Sequence, residues 1–139
     1  MTAPSTAAVA TGSRPLQAVL VEDSAVIREN LIATLEEMTP LRVVATAVDE
    51  AGALALLASP PAPVDLAIVD IFLARGSGLN LLRALQAQGS PVERVVLTNH
   101  ATPALRRQCL SLGASRVFDK SGEIDALIEH CLNRAASAR

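Results

Sequence analysis

Side chains that could carry out phosphoryl chemistry lie where four apolar runs of the sequence end. Glu22 and Asp23 follow one run directly, and Asp70 follows a second. Thr98 ends a third run, and Lys120 comes shortly after a fourth. A carboxylate can be a nucleophile toward a phosphoryl group, and a few hard oxygen ligands suit Mg²⁺. An ammonium and a hydroxyl can stabilise the charge of a transferring group, so these residues together fit phosphoryl transfer.

The segments between these residues predict an alternation of strands and helices. Residues 26–38 repeat apolar side chains at helical spacing, and so do residues 124–131. Asp49, Thr102 and Ser121 are typical N-cap residues and mark the starts of three helices. The predicted strands span residues 18–21, 42–48, 66–69, 93–98 and 116–118.

The predicted strands are apolar without polar alternation, which is typical of strands buried on both faces of a sheet. Five such strands alternating with five helices predict an α/β fold with a doubly wound parallel sheet. Ligands of these sheets bind beyond the carboxyl ends of the strands, which is where the candidate residues then gather. Three carboxylates at one place repel one another unless a cation neutralises them, and this favours a divalent metal site.

Each candidate also has an ordinary structural interpretation when it is taken alone. An acidic pair such as Glu22 and Asp23 is stabilised at a helix N-terminus, and Asp70 could cap a helix. Thr98 could be a routine hydroxyl at a strand end, and an isolated Lys120 would be a solvated surface lysine. The common placement of all five at one end of the sheet favours the functional interpretation.

The composition limits the kinds of partner. Half of the 139 residues are hydrophobic, which suits a folded domain with a sizeable core. Aromatic residues make up 1%, with only Phe72 and Phe118 present, so few side chains could stack on nucleic-acid bases. The net charge of −2 gives no electrostatic footprint for nucleic acid or for an anionic membrane. We therefore expect a protein or small-molecule partner, and neither nucleic acid nor a membrane.

The ends of the chain and its cysteines indicate one cytoplasmic domain. Residues 1–15 are rich in Ala, Thr and Ser without a secretory apolar block, so we expect a disordered N-terminal tail. The domain is expected over residues 16–134, with a short C-terminal tail at 135–139 and no output domain after it. Cys109 and Cys131 are predicted to be buried free thiols of a reducing cytosol, with a disulfide as the alternative.

Six stretches of the sequence resemble the receiver domain of bacterial response regulators, the switches of two-component phosphorelay systems. They are VLVEDS at residues 19–24, LAIVDI at 66–71, GSGL at 76–79, VVLT at 95–98, LGA at 112–114 and FDKS at 118–121. Each is weak alone, whereas all six in this order are specific, and the likeness covers residues 16–134. The resemblance implies the flavodoxin-like (βα)5 fold, with five parallel strands in the order 2-1-3-4-5.

The resemblance assigns the residues of the metal site one by one. It implies that Asp70 is the phosphoacceptor. Asp23 matches the direct ligand of Mg²⁺ and Glu22 its acidic companion, with Mn²⁺ able to substitute for Mg²⁺. The backbone carbonyl of Phe72, two residues past the acceptor, matches the third protein ligand.

The resemblance also implies a way to signal. Thr98 matches the hydroxyl residue that moves toward the phosphoryl group, and Lys120 matches the lysine that pairs with the acceptor and then with phosphate. The phosphoryl group would come from a sensor histidine kinase or a histidine phosphotransfer protein. The response would reach a downstream protein through the fourth helix, fifth strand and fifth helix, and a homodimer stays open. Such a stand-alone receiver is a switch rather than an enzyme, and catalyses only its own phosphorylation and dephosphorylation.

The sequence departs from the family at positions that bear on signalling. Ala74 and Ser121 stand where Pro is common, which leaves open whether the Lys120–Ser121 peptide is cis or trans. Val117 stands where an aromatic residue is common, and Phe118 follows one position later. If Phe118 points into the core, the switch lacks the aromatic side chain that the family commonly uses together with the residue matching Thr98. The coupling of phosphorylation to the surface is then weaker.

Other functions fit parts of the sequence. An unphosphorylated receiver could serve as a scaffold, although a scaffold needs neither the acids nor Thr98 and Lys120. A phosphatase like the haloacid dehalogenases would carry a second Asp two residues after the nucleophile, where this chain has Phe72. A flavodoxin would carry aromatic side chains around its flavin, and these are missing.

The remaining candidates are basic side chains. His100 lies near the mouth of the site and is expected to be exposed, although it could tune dephosphorylation. His130 is expected to be solvated on the last helix. Arg106 and Arg107 are expected to form a solvated face of the fourth helix, which could also bind a partner.

Overall fold

The computed structural model describes residues 15–137, which form five strands and five helices in alternation. The strands are β1 (Leu16–Val21), β2 (Leu41–Ala47), β3 (Leu66–Val69), β4 (Glu93–Thr98) and β5 (Ala114–Asp119). The helices are α1 (Ala25–Met38), α2 (Glu50–Ala58), α3 (Gly78–Ala87), α4 (Pro103–Ser111) and α5 (Ile124–Ser137). The predicted N-terminal tail lies outside the described residues apart from Pro15.

All five strands are parallel and lie in the order β2-β1-β3-β4-β5, which confirms the predicted sheet. The chain moves outward from β1 to β2 and then returns past β1 to β3. The loops after β1 and β3 therefore diverge and leave a crevice at the carboxyl edge of the sheet. Glu22 and Asp70, which directly follow these two strands, lie at that crevice.

Helices cover both faces of the sheet, which explains why the strands are apolar along most of their length. On one face, α1 and α5 pack against Leu20 and Phe118. On the other face, α2 and α3 pack against Val21, and α3 and α4 pack against Val96 and Val117. Because successive strand residues point to opposite faces, Phe118 and Val117 belong to different layers of the core. Phe118 therefore fills the core beneath α1 and α5, and position 117 offers no aromatic ring on the α4 side.

Several helices begin at side chains that accept a backbone hydrogen bond. The predicted caps Asp49 and Thr102 accept from the amides of Gly52 and Leu105 and begin α2 and α4. The prediction of Ser121 as the cap of the last helix is wrong, because α5 begins at Ile124. The Ser121 hydroxyl instead donates to Asp119 at 2.6 Å.

The boundaries of three other elements differ from the sequence prediction. β2 begins at Leu41 and ends at Ala47, one residue earlier at each end than predicted. β5 begins at Ala114 because its pairing with β4 continues past the apolar run. The last helix continues to Ser137, past the domain end expected at residue 134, because Ala135 packs against the core.

Other sequence-based expectations concern the cysteines and one peptide bond. Cys109 and Cys131 are buried and free, as predicted. No peptide bond within residues 15–137 is cis, so the Lys120–Ser121 peptide is trans. In this same part of the chain, no helix is long and apolar enough to cross a membrane.

Candidate functional site

Five side chains from four strand ends meet at the crevice, and we call this set the acidic edge: Glu22, Asp23, Asp70, Thr98 and Lys120. The three carboxylates each place an oxygen within 4.8 Å of the others. Glu22 and Asp70 are buried, whereas Asp23 is partly exposed toward solvent. The structure thus brings together all five side chains that the sequence placed at one end of the sheet.

Lys120 lies between two of the carboxylates. Its Nζ donates to Glu22 Oε1 at 2.6 Å and to Asp70 Oδ2 at 2.9 Å. Burial alone would lower the pKa of Lys120, but the hydrogen bonds to Glu22 and Asp70 outweigh burial and raise the pKa. The ammonium group therefore stays charged at neutral pH, where it can balance negative charge on Asp70.

Both oxygens of Asp70 have hydrogen-bond donors. Oδ2 accepts from Lys120, while Oδ1 accepts from the Thr98 hydroxyl at 3.2 Å and from the Phe72 amide at 3.2 Å. Thr98 is fully buried, and its carbonyl accepts from the Lys120 amide at 3.0 Å. The Asp70 carboxylate is therefore held in one orientation by a cation, a hydroxyl and a backbone amide.

The neighbouring acids are held by backbone amides of the loops that surround them. Glu22 Oε2 accepts from the Ser24 amide at 3.0 Å, and Asp23 Oδ2 accepts from the Ala74 amide at 2.6 Å. Gly78 closes this loop so tightly that a Cβ at that position would lie 2.3 Å from the Asp70 carbonyl oxygen. The glycine is therefore required by a close backbone approach next to Asp70.

The donor set fits a hard divalent cation. Lys120 pairs with Glu22 and Asp70 and brings one positive charge to a group of three carboxylates, so negative charge remains to be balanced. Carboxylate oxygens in small number are the ligands that Mg²⁺ prefers in proteins. Glu22, Asp23 and Asp70 can therefore hold such an ion. The Phe72 side chain is 60% exposed beside them, and a ligand role for its carbonyl stays a prediction.

Sequence reasoning missed a set of contacts made by Arg106. The prediction that this side chain is solvated is wrong, because its guanidinium makes hydrogen bonds to three different segments. The sequence pattern does not predict these hydrogen bonds, because Arg106 and Arg107 are adjacent residues of one type that differ only in the direction in which the helix points their side chains. Arg107 is exposed, as predicted.

The two histidines differ in their surroundings. His100 is exposed, as predicted, and has a positive φ of 53°. The prediction that His130 is solvated is wrong, because its side chain is only 12% exposed and its Nε2 lies 2.8 Å from Glu93 Oε2. Arg134 and Ser115 bond to the same carboxylate, so this cluster ties α5 to the start of β4.

A family comparison identifies the type of domain. The model of the response regulator receiver domain matches residues 18–132. The matched stretch contains the five side chains of the acidic edge and all of β2, β3, β4 and β5. Among the described helices and strands, the first two residues of β1 and the last residues of α5 lie outside it.

Two curated relatives each match more than three quarters of this chain. A protein-glutamate methylesterase/protein-glutamine glutaminase of Anaeromyxobacter dehalogenans is 37% identical over 114 residues, covering 79% of this chain and 30% of that protein. The methanol utilization control regulatory protein MoxX of Paracoccus denitrificans is 27% identical over 110 residues, covering 78% of this chain and 48% of that protein. The chain therefore spans about a third to a half of the length of these relatives.

Solved structures share the fold. The receiver domain of the Francisella response regulator 1452 has a TM-score of 0.78 at 20% identity, covering 88% of this chain and 98% of that one. A response regulator protein of Burkholderia pseudomallei, with a phosphorylated aspartic acid, a calcium ion and citrate, has a TM-score of 0.70 at 22% identity. That match covers 87% of this chain and 69% of the other.

Proposed function

This chain belongs to the response regulator receiver domains, and from that premise we propose that it is a signalling switch that accepts a phosphoryl group on Asp70. The donor is the phosphohistidine of a sensor histidine kinase or of a histidine phosphotransfer protein. The observation that carries the proposal is the Asp70 carboxylate, which Lys120 and Thr98 hold beside the acids Glu22 and Asp23. A scaffold requires none of these groups, and a phosphatase like the haloacid dehalogenases would require a second Asp where this chain has Phe72.

The side chains of the acidic edge have separate tasks in the transfer. An Asp70 oxygen attacks phosphorus, so an O–P bond forms while the P–N bond of the donor breaks and the imidazole leaves with the electron pair. Lys120 and Thr98 offer an ammonium and a hydroxyl to the negative charge that gathers around the acceptor. A Mg²⁺ ion held by Glu22, Asp23, Asp70 and the Phe72 carbonyl would supply further positive charge for the phosphoryl oxygens.

The same contacts explain how phosphorylation changes the protein. The Thr98 hydroxyl and the Lys120 ammonium bond directly to Asp70, so they meet the new phosphoryl oxygens as soon as the group is attached. New charge-assisted hydrogen bonds favour the conformation in which both side chains reach these oxygens, and the equilibrium shifts toward it. A downstream protein then reads the changed surface of α4, β5 and α5.

The similar proteins limit which activities we propose for this chain. The solved Burkholderia response regulator contains a phosphorylated aspartic acid and a calcium ion, the two kinds of group that we propose for the acidic edge. The hydrolytic activity named for the Anaeromyxobacter relative is not part of the proposal, because the similarity spans only 30% of that protein. We propose that this domain catalyses only its own phosphorylation and dephosphorylation.

The proposal is tested by incubating the purified protein with acetyl phosphate, with and without Mg²⁺, and measuring its intact mass. We expect the mass of one phosphoryl group to be added only in the presence of Mg²⁺. The Asp70→Asn variant, which keeps the size of the side chain but lacks the nucleophilic carboxylate, should gain no mass. If no adduct forms, we test binding of beryllofluoride, a mimic of the phosphoryl group that does not hydrolyse. Binding would mean that the phosphorylated protein forms but hydrolyses rapidly. A wild type that neither gains mass nor binds beryllofluoride would overturn the proposal.

A further inference from the structure

Arg106 reaches from α4 to three segments of the chain. Its Nε donates to the carbonyl of Ala101 at 2.8 Å, in the loop between β4 and α4. Its Nη1 donates to the carbonyl of Val117 in β5 at 3.0 Å, and its Nη2 donates to Glu123 Oε1 at 2.8 Å, just before α5. One planar guanidinium therefore fixes the relative positions of the loop, the strand and the last helix.

The loop that Arg106 holds is the one that follows Thr98. The Ala101 carbonyl accepts from Arg106, and the Ala101 amide donates to Asp119 Oδ2 at 2.9 Å, so the loop is held from both sides. The Thr98 carbonyl also accepts from the Lys120 amide at 3.0 Å. A displacement of Thr98 toward Asp70 would therefore pull on Ala101, and with it on Arg106 and Asp119.

Glu123 closes the set of contacts on the side of α5. Its Oε1 accepts from Arg106 and also from the Asp119 amide at 2.7 Å. The hydrogen bond from Arg106 and the one from the Asp119 amide lower the pKa of Glu123, so the carboxylate is charged at neutral pH. The Glu123 carbonyl accepts from the Leu127 amide, which is the first helical hydrogen bond of α5. The carboxylate therefore connects Arg106 to the first turn of that helix.

We propose that Arg106 is the positioning residue that carries the state of Thr98 and Asp70 to β5 and α5, through a set of contacts that we call the Arg106 network: Arg106, Ala101, Val117, Asp119 and Glu123. The inference rests on the proposed function and names the regulation of the same site. The side chain at position 117 is a valine, which makes no polar contact of its own, so the guanidinium supplies the bridge across this part of the molecule. Arg106 and Glu123 are 34% and 38% exposed, so their ion pair is weak enough to be broken and remade during switching.

The test compares amide NMR signals of the ¹⁵N-labelled protein with and without Mg²⁺ and beryllofluoride. In the wild type, we expect shifts at Thr98 and Lys120 and also in the first turn of α5. In Arg106→Ala, the shifts at Thr98 and Lys120 should persist, while those in α5 fall at least threefold. Arg107→Ala, which removes the neighbouring exposed arginine, should behave as the wild type.

Two further measurements keep the test decisive. Glu123→Gln removes the negative charge of the carboxylate that accepts from Arg106, so it should also weaken the α5 response. This variant provides the test if Arg106→Ala does not fold. Because coupling is reciprocal, Arg106→Ala should change the apparent affinity for beryllofluoride at least twofold, and Arg107→Ala should not. An undiminished α5 response in both Arg106→Ala and Glu123→Gln would overturn the inference alone. A wild type whose signals do not shift with beryllofluoride and whose mass does not rise with acetyl phosphate would overturn the proposed function, and this inference with it.

Discussion

The acidic edge and the Arg106 network lie on either side of the same loop and are built in opposite ways. At the acidic edge, Glu22, Asp70 and Thr98 are 2%, 6% and 0% exposed, and Lys120 lies between two carboxylates. In the network, Arg106 and Glu123 are each about a third exposed. Buried charges interact strongly and are costly to leave unpaired, whereas an exposed ion pair contributes between about 0 and 1 kcal/mol.

This difference in burial separates the residues proposed to carry out the reaction from those proposed to transmit its result. In the proposed function, the acidic edge holds several groups at fixed positions around one phosphorus atom, so substitutions there should remove the reaction. In the role proposed for Arg106, the network changes its contacts when the state of Asp70 changes, and weak, reversible hydrogen bonds suit that role. Substitutions in the network should therefore alter the response and leave the reaction in place.

Lys120→Met should show the largest effect. The variant keeps a long side chain but removes the ammonium that faces Asp70, and loss of one such preorganised charge typically slows transfer by roughly 100-fold. The rate of mass gain with acetyl phosphate measures it, and circular dichroism checks that the variant folds. A folded variant with a rate within about twofold of the wild type would contradict the claim that the acidic edge, unlike the Arg106 network, is needed for the reaction.

Gly78→Ala should destabilise the acidic edge by about 2 kcal/mol or more, because the new Cβ would lie 2.3 Å from the Asp70 carbonyl oxygen and 2.7 Å from the Cα of Ile71. Neither backbone atom can move without moving Asp70. Urea unfolding gives the free energy of unfolding. Gly122→Ala is the matched control, since nothing lies within 4 Å of the Cβ it would add. Equal stabilities of the two variants would show that the loop next to Asp70 adapts freely.

Phe118→Leu separates the core from the Arg106 network on the same strand. Phe118 is 1% exposed beneath α1 and α5, so a smaller apolar side chain should cost about 1.5 kcal/mol of stability. The beryllofluoride response in the first turn of α5 should stay as in the wild type. A lost response in a folded Phe118→Leu protein would mean that the ring itself carries the signal, contrary to the role given to Arg106.

Glu93→Gln should show the smallest effect, and only as a dependence on pH. Burial would raise the pKa of Glu93, but hydrogen bonds from Ser115, Arg134 and His130 outweigh it and lower the pKa below its usual 4.5. A lowered pKa adds stability above pH 4.5, and this stability is lost as pH falls through the folded-state pKa.

The stability difference between the wild type and Glu93→Gln should therefore be about 1 kcal/mol or less at pH 6 and shrink by pH 3.5. Urea unfolding at both pH values measures it. A difference that grows as pH falls would show that the sign of the pKa shift is opposite.

The residues that the sequence identified share a simple signal. Asp70 and Thr98 directly end or follow apolar strands, and parallel strands place all such residues at one edge. The unbroken apolar runs likewise predicted a parallel sheet covered on both faces, and the resemblance to receiver domains implied its strand order. Fold and chemistry were therefore predictable because burial on both faces of the sheet leaves few alternatives.

The residues that the sequence missed depend on the direction of a side chain. Arg106 and Arg107 are neighbours of one type, and only the packing of α4 shows that the first reaches Val117 and the second reaches solvent. His130 pairs with Glu93 across 37 residues, which no local pattern predicts. Ser121 has the chemistry of a helix cap, but Asp119 accepts its hydroxyl before the helix begins.

The most direct test of the account is to locate the phosphoryl group. Borohydride reduces an acyl phosphate to an alcohol, so an aspartyl phosphate becomes homoserine and can be found by peptide mass spectrometry. After treatment with Mg²⁺ and acetyl phosphate, the account predicts homoserine at position 70 and unmodified acids at positions 22 and 23. Modification at another carboxylate, or none in a protein that has gained the mass of a phosphoryl group, would contradict it.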